Sequence, residues 1–207
     1  MPRTKSELLE NQRREQLLVA TYSVFAKKGF AATSLADIAA AADFSKAMVI
    51  YYFKSKENLL VAAFEWITSG ILERLDNCTV GLDSAEPMLR AQLEQLFMST
   101  RRNRRFYHVY LDFLAQSVHN VRLGGVTARF YTGCISAVAR SIALGVEQGV
   151  FRPCMSPAEA SSVCGAMMDG LQMQWLFDEE ETFEEYRERC WRGWLALLGA
   201  NNVMVGA

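Results

Sequence analysis

Apolar residues along this chain recur at helical spacing, and no stretch alternates apolar and polar positions over the length of a strand. From Glu7 to Lys28 the positions Leu17, Ala20, Thr21, Val24 and Phe25 share one face, and Gly29 stands where a left-handed residue ends a helix. Ser34 followed three residues on by Asp37 is a capping box, opening a short helix with Leu35, Ile38, Ala39 and Ala42 on its apolar face. Asp43 and Phe44 make the turn, since Asp tolerates the left-handed backbone region. Ser45 is the N-cap of a second short helix, Lys46 to Tyr52.

The pattern continues in longer elements. Lys56 to about Asn77 reads as one helix with Leu59, Leu60, Ala63, Phe64, Ile67, Ile71 and Leu75 inside and a helix-weakening Gly70 within it. A loop with Gly81 and Asp83 leads to helices near Ser84–Thr100 and Arg104–Val118. Gly124-Gly125 is expected to break the chain before a helix from Val126 to Gln148, stopped by Gly149. Ser156, Pro157 and Glu159 supply a cap, a first-turn proline and a capping-box partner for a helix reaching about Asp178. Phe183 to Leu198 closes the series. The fold class is all-α, with about nine or ten helices.

Composition adds limits. With 207 residues, 51% of them hydrophobic, the chain has material for a core in one or two domains. The formal net charge of −1 announces no nucleic acid, but residues 1–60 hold nine Lys/Arg against six Asp/Glu and the remainder thirteen against seventeen. Five cysteines without paired spacing read as reduced thiols. Charges punctuate the first fifteen residues, unlike a secretory leader, and the apolar region Cys134–Val146 is short and interrupted by Arg140. A soluble cytoplasmic protein without a membrane partner is expected. The two histidines, His108 and His119, have no metal-ligand spacing, and no phosphate-binding glycine motif or nucleophile motif is present. The expectation is no enzyme, no metal and no cofactor. Arg3 and Lys5 read as a solvated tail, and the run Arg101–Arg105 as a solvated helix junction.

Two short helices joined by a tight turn form a helix-turn-helix, whose second member can enter a DNA major groove. Leu17, Leu18, Ala20, Val24, Phe25, Gly29, Thr33, Ile38, Ala39, Ser45, Tyr52, Phe53, Lys56 and Leu59 fall where the TetR (tetracycline-repressor-like) family places its signature, without a gap over about the first sixty residues. Departures are Asp43 for Gly, Phe44 for Val and Ile50 for Tyr. The segments Gly145–Pro153 and Met167–Asp178 also resemble that family's C-terminal region. The resemblance implies a DNA-binding domain at 1–55, in which three helices carry the helix-turn-helix, and a helical effector-binding and dimerisation domain at 56–207. It further implies a ligand-responsive regulator, most often a repressor released from its operator by a small organic molecule.

Base contacts are expected from the first turns of the second short helix, Lys46, Ala47, Met48 and Tyr51, with Thr33, Ser34, Ser45, Tyr52 and Lys56 toward phosphates or at the caps. Val49 and Phe53 read as core. An effector pocket in the manner of the family would draw on Phe64, Ile67, Phe97, Tyr107, His108, Tyr110, Leu111, Asp112, Leu114, Phe130, Met168, Gln172 and Trp175. With Asp112 inside, such an aromatic box suits an organic cation; without it, a neutral apolar ligand. The helices near 126–148 and 157–178 are apolar over more than one stripe and are expected to form a homodimer, which would read a pseudo-palindromic operator. The rivals are a helical dimeric module without effector and a small-molecule-binding enzyme.

Overall fold

The computed structural model describes residues 5–97, 100–178 and 180–200. Arg3, and the side chains of Lys5, Arg101 and Arg102 named above, lie outside the described residues. Among the described residues there are nine helices and no strand: α1 (Lys5–Ala32), α2 (Leu35–Ala41), α3 (Lys46–Phe53), α4 (Lys56–Asn77), α5 (Ala85–Leu96), α6 (Thr100–Ser117), α7 (Val121–Glu147), α8 (Pro157–Trp175) and α9 (Phe183–Leu197). None of them is long and apolar enough to cross a membrane.

The chain separates into two compact units. The first comprises Met1–Ser69 and Arg105–Ala128; the second comprises Gly70–Arg104 and Arg129–Ala207. The cut in α4 falls at Gly70, inside a helix that runs on without interruption.

In the first unit, α1 packs on α2 and α2 on α3. Leu17, Leu18, Val24, Ile38, Val49, Phe53, Leu59 and Ala63 form their shared core. The local chemistry is that of the sequence. Gly29 takes φ 73° and interrupts α1 near its end. Ser34 and Asp37 close a reciprocal capping box, and Asp43 turns the chain with φ 58°. Ser45 accepts the Met48 amide at 3.2 Å, seating the front of α3. Residues 105–117 of α6 belong to the same unit, with Phe113 stacked on Phe64 at a centroid distance of 4.1 Å.

In the second unit, α8 pairs with α9 and α5 packs on α9. Leu89, Leu93, Phe97, Ile142, Cys164, Trp175, Phe183 and Trp194 lie in one core. Trp194 donates its indole N–H to the Cys164 carbonyl at 3.0 Å, so its one polar atom is satisfied in the interior. Burial without a cationic neighbour pushes the Cys164 thiol up to about 12, which keeps it protonated and inert. Ser156 with Glu159 and Thr182 with Glu185 form capping boxes for α8 and α9.

One expected break is absent. Gly124 and Gly125 lie inside α7, which begins at Val121. Asn120 provides the reason, because its side-chain oxygen accepts the amides of Arg122 at 3.0 Å and Leu123 at 3.2 Å. That cap, with burial of Leu123 and Val126, outweighs the roughly 1 kcal/mol per glycine of lost helix propensity. A Cβ at Gly124 would meet the Ser117 carbonyl at 3.3 Å, so the glycine serves a close approach. Boundaries shift elsewhere too. α5 stops at Leu96, α6 starts at Thr100, and α8 ends at Trp175 rather than Asp178.

Candidate nucleic-acid interface

The caps at Ser34 and Ser45 present two short helices, and burial then divides α3 by face. Val49 is wholly buried and Phe53 nearly so, with the Arg14 guanidinium 4.6 Å from the Phe53 ring centroid. The opposite face carries Lys46, Ala47, Ile50 and Tyr51, all exposed, with Met48 and Tyr52 half-buried beside them. Tyr51 is 63% exposed and meets Tyr52 edge-on at 5.2 Å. Exposed Lys54 follows at the end of the helix with φ 66° and its ammonium 5.3 Å from the Tyr51 ring. Positions 46, 47, 50, 51 and 54 thus make one outward stripe of two cations, a phenol and small or apolar groups. Such a stripe can donate to guanine O6 and N7, touch thymine methyls and bind phosphate oxygens. Lys54 did not stand out in the sequence, although its i+4 spacing from Ile50 was the available signal.

Ser34 and Ser45 are exposed, but each hydroxyl oxygen already accepts an amide of its own helix. Asp37 is paired with Lys28 at 2.6 Å, and that hydrogen bond, with two from Ser34, holds its carboxyl well below the usual carboxylate range. Two nominated residues face elsewhere. Thr33 is 3% exposed, and its hydroxyl donates to the Gly29 carbonyl at 2.7 Å. Lys56 donates to the Phe30 carbonyl at 2.7 Å and lies 4.3 Å from the Phe30 ring centroid, and burial lowers its pKa from the ordinary lysine value. Both hold the connection between α1 and α2.

The nominated pocket residues are divided between the two units. In the first unit, Phe64, Tyr107 and Tyr110 are buried together. Tyr110 lies 6.3 Å from Phe64 and 5.7 Å from Tyr107. Ile67, Leu111 and Leu114 are half-buried, whereas His108 is exposed. Asp112 is half-buried, and its Oδ2 accepts the Phe30 amide at 2.9 Å. The cleft it lines with Phe25, Phe30, Leu60, Val109, Phe113 and Gln116 leaves no room for a water-sized sphere. The carboxylate therefore serves the backbone there. In the second unit, Phe97 and Trp175 both contact Phe183, at 5.3 and 4.7 Å, and Arg104 lies 4.7 Å from the Trp175 ring centroid. Phe130, Met168 and Gln172 are buried in that unit.

The outward faces of α7 and α8 differ in character. On α7 they include Ala128, Thr132, Ser136 and Arg140, the last paired with Asp76. On α8 they include Val163, Ala166 and Met173, with 84%-exposed Phe177 just beyond. A Cβ at Gly165 or Gly170 would meet nothing within 4 Å.

A family model described as "Bacterial regulatory proteins, tetR family" matches residues 17–63, and one described as "BetI-type transcriptional repressor, C-terminal" matches residues 85–199. Over 176 residues the chain is 30% identical to the HTH-type transcriptional regulator BetI of Escherichia coli, a match covering 81% of this chain and 83% of that protein. Over 116 residues it is 33% identical to BetI of Stenotrophomonas maltophilia, covering 56% of this chain and 59% of that one, under two thirds of that relative's length. Among solved structures it resembles a protein of Saccharomonospora viridis described as a transcriptional regulator in complex with choline. The TM-score is 0.82 at 22% identity, covering 90% of this chain and 96% of that one. At that identity the likeness shows the fold alone.

Proposed function

Because the chain belongs to the TetR family of bacterial transcriptional regulators, with a BetI-type C-terminal region, we propose that it is a dimeric repressor that leaves its operator when a small quaternary ammonium compound binds. Members of that family bind operator DNA and small effectors and act as dimers; the chain is a regulator and not an enzyme. It acts beside the chromosome, in the cytoplasm. DNA reading belongs to residues 1–55, effector binding and dimerisation to 56–207.

The observation that carries the proposal is the outward stripe of α3, held by the Ser45 cap over a fully buried Val49. Lys46, Ala47, Met48 and Tyr51 read bases. Lys54, Tyr52 and the α2 and α3 caps at Ser34 and Ser45 approach phosphates. Thr33 and Lys56 act from behind by fixing the joint that aims α3. Dimerisation uses the helices near 126–148 and 157–178, through exposed apolar groups such as Tyr131 and Val146 on α7 and Val163 and Met173 on α8.

The effector class is read from the choline-bound Saccharomonospora viridis protein together with the aromatic residues of the first unit. Phe64, Tyr107 and Tyr110 are buried together, with Phe64 stacked on Tyr110 and Phe113, and a cation entering between such rings would be drawn to their faces. Asp112 is engaged by the Phe30 amide, and without that carboxylate the rings by themselves suit a neutral apolar ligand, so the cation reading rests on the choline-bound neighbour. The choline bound by the Saccharomonospora viridis protein is a compound of this kind. The effector weakens DNA binding by its differential affinity for the two states. Fluorescence anisotropy with DNA from random-sequence selection tests this. The chain is expected to bind a pseudo-palindrome and release it as choline is added. Tight choline binding with unchanged operator affinity would refute the effector mechanism.

A further inference from the structure

We propose that Asp112 is a positioning residue for DNA binding, through which α6 fixes the joint between α1 and the helix-turn-helix. The inference rests on the operator-binding reading above and adds how the aim of α3 is set. At the joint, one residue is held from both sides. The Phe30 N–H donates to Asp112 Oδ2 at 2.9 Å, and the Phe30 carbonyl accepts from Lys56 Nζ at 2.7 Å. Three helices, α1, α4 and α6, therefore meet at Phe30.

The joint has little slack. Gly29 sits at φ 73°, where L side chains are strained, and a Cβ there would stand 3.1 Å from Asp112 Oδ2. Its carbonyl is taken by the Thr33 hydroxyl at 2.7 Å. α2 begins two residues after Thr33, and the Phe44 amide bonds the Ala39 carbonyl at 2.9 Å to close the turn that carries α3. The orientation of this joint therefore decides where the outward stripe of α3 points.

With Asp112 in place the cleft around it excludes a water-sized sphere, and the Phe30 amide is part-buried, so losing the carboxylate removes the acceptor that ties α6 to the joint. The helix that bears Asp112 also bears Tyr107 and Tyr110 of the ring cluster. Phe113 of the same helix contacts both Phe64 and Phe25, and Phe25 contacts Phe30 at 6.0 Å. A close-packed interior of this kind passes a displacement of α6 on to the joint.

Asp112→Ala and Asp112→Asn separate this role from a general structural one, because the amide oxygen of Asn can still accept the Phe30 N–H. Two readouts apply: hydrogen exchange over residues 29–34 and anisotropy on the selected operator. Asp112→Ala is expected to exchange at least about tenfold faster in that segment and to bind operator about tenfold more weakly. Exchange in α8 and α9, and the dimer, should stay parental. Asp112→Asn should recover both within about threefold. Parental operator affinity in Asp112→Ala, or a loss in Asp112→Asn as large as in Asp112→Ala, overturns the proposal. Should Asp112→Ala not accumulate in folded form, Asp112→Glu, one methylene too long, takes its place, and parental exchange and affinity there overturn it equally. A parent chain that selects no DNA sequence overturns the operator-binding reading, and this role with it. A parent that binds beside an indifferent Asp112 variant overturns only the role of Asp112.

Discussion

Two neighbouring side chains on α3 show how burial sorts function: Val49 is lost to the core and Ile50 is turned outward. Under the proposed function, the residues that reach DNA come from the outward set. Lys46→Ala or Tyr51→Ala should weaken operator binding by about 1–3 kcal/mol while leaving affinity for scrambled duplex nearly unchanged. Lys54→Ala should instead lower affinity for both duplexes and flatten the salt dependence. Competition anisotropy at two salt concentrations distinguishes the two. Ser45→Ala should cost about 0.5–2 kcal/mol of unfolding free energy in urea, since the Met48 amide loses its side-chain acceptor. The caps and the outward face of α3 were legible, because caps and the 3.6 period are local. Thr33 and Asp112 were named for other roles, and their hydrogen bonds at the joint were not legible. Each satisfies a backbone group at the Gly29-Phe30 joint, and Asp112 does so from 82 positions away in the chain.

At the scale of elements, the ends of helices were the most readable features and their interiors the least. Every capping box argued from sequence is present, yet a glycine pair taken for a break is spanned by α7. The reason is energetic. Two weak residues lose to a good cap and a buried stripe. Gly145, on the same helix, has a different role. A Cβ there would stand 1.9 Å from the ring of Phe151, which is fully buried. Gly145→Ala gains about 1 kcal/mol of helix propensity and meets overpacking of about 1–3 kcal/mol, so a net loss is expected in a thermal or urea melt. Between α5 and α9, Arg90 forks onto Glu188 through two hydrogen bonds, one of 3.1 Å, and this pairing lowers the Glu188 pKa. A depressed carboxylate stabilises the fold above its unfolded value of about 4.3 and loses that contribution as pH falls through the folded one. Glu188→Gln should therefore flatten the acid limb of the stability–pH curve, as read by denaturant melts from pH 6 to pH 3.

At the scale of the molecule, the surface that matters is the outer side of α8. The outward face of α8 keeps Val163 and Met173 in water, with open glycines between and exposed Phe177 just beyond its end, an arrangement suited to covering by a second copy. Val163→Glu, placed in that face, should shift the protein toward monomer in light scattering and lower operator affinity. Binding of the wild type should follow a symmetric site with half-sites about one helical turn apart or somewhat more. A parental dimer carrying Glu at this position would move the interface elsewhere.

By itself the sequence determined the helical class, the caps, the turn at Asp43 and the family of the helix-turn-helix. All of these depend on residues within one or two turns of each other, where spacing alone sets the contact. Only the tertiary structure decided which nominated polar groups remain outward, that Gly124 and Gly125 stay helical, and that a carboxylate on α6 is committed to the amide of Phe30. Those outcomes depend on which distant atoms compete for the same hydrogen bond and the same volume, and chain spacing carries no record of that competition.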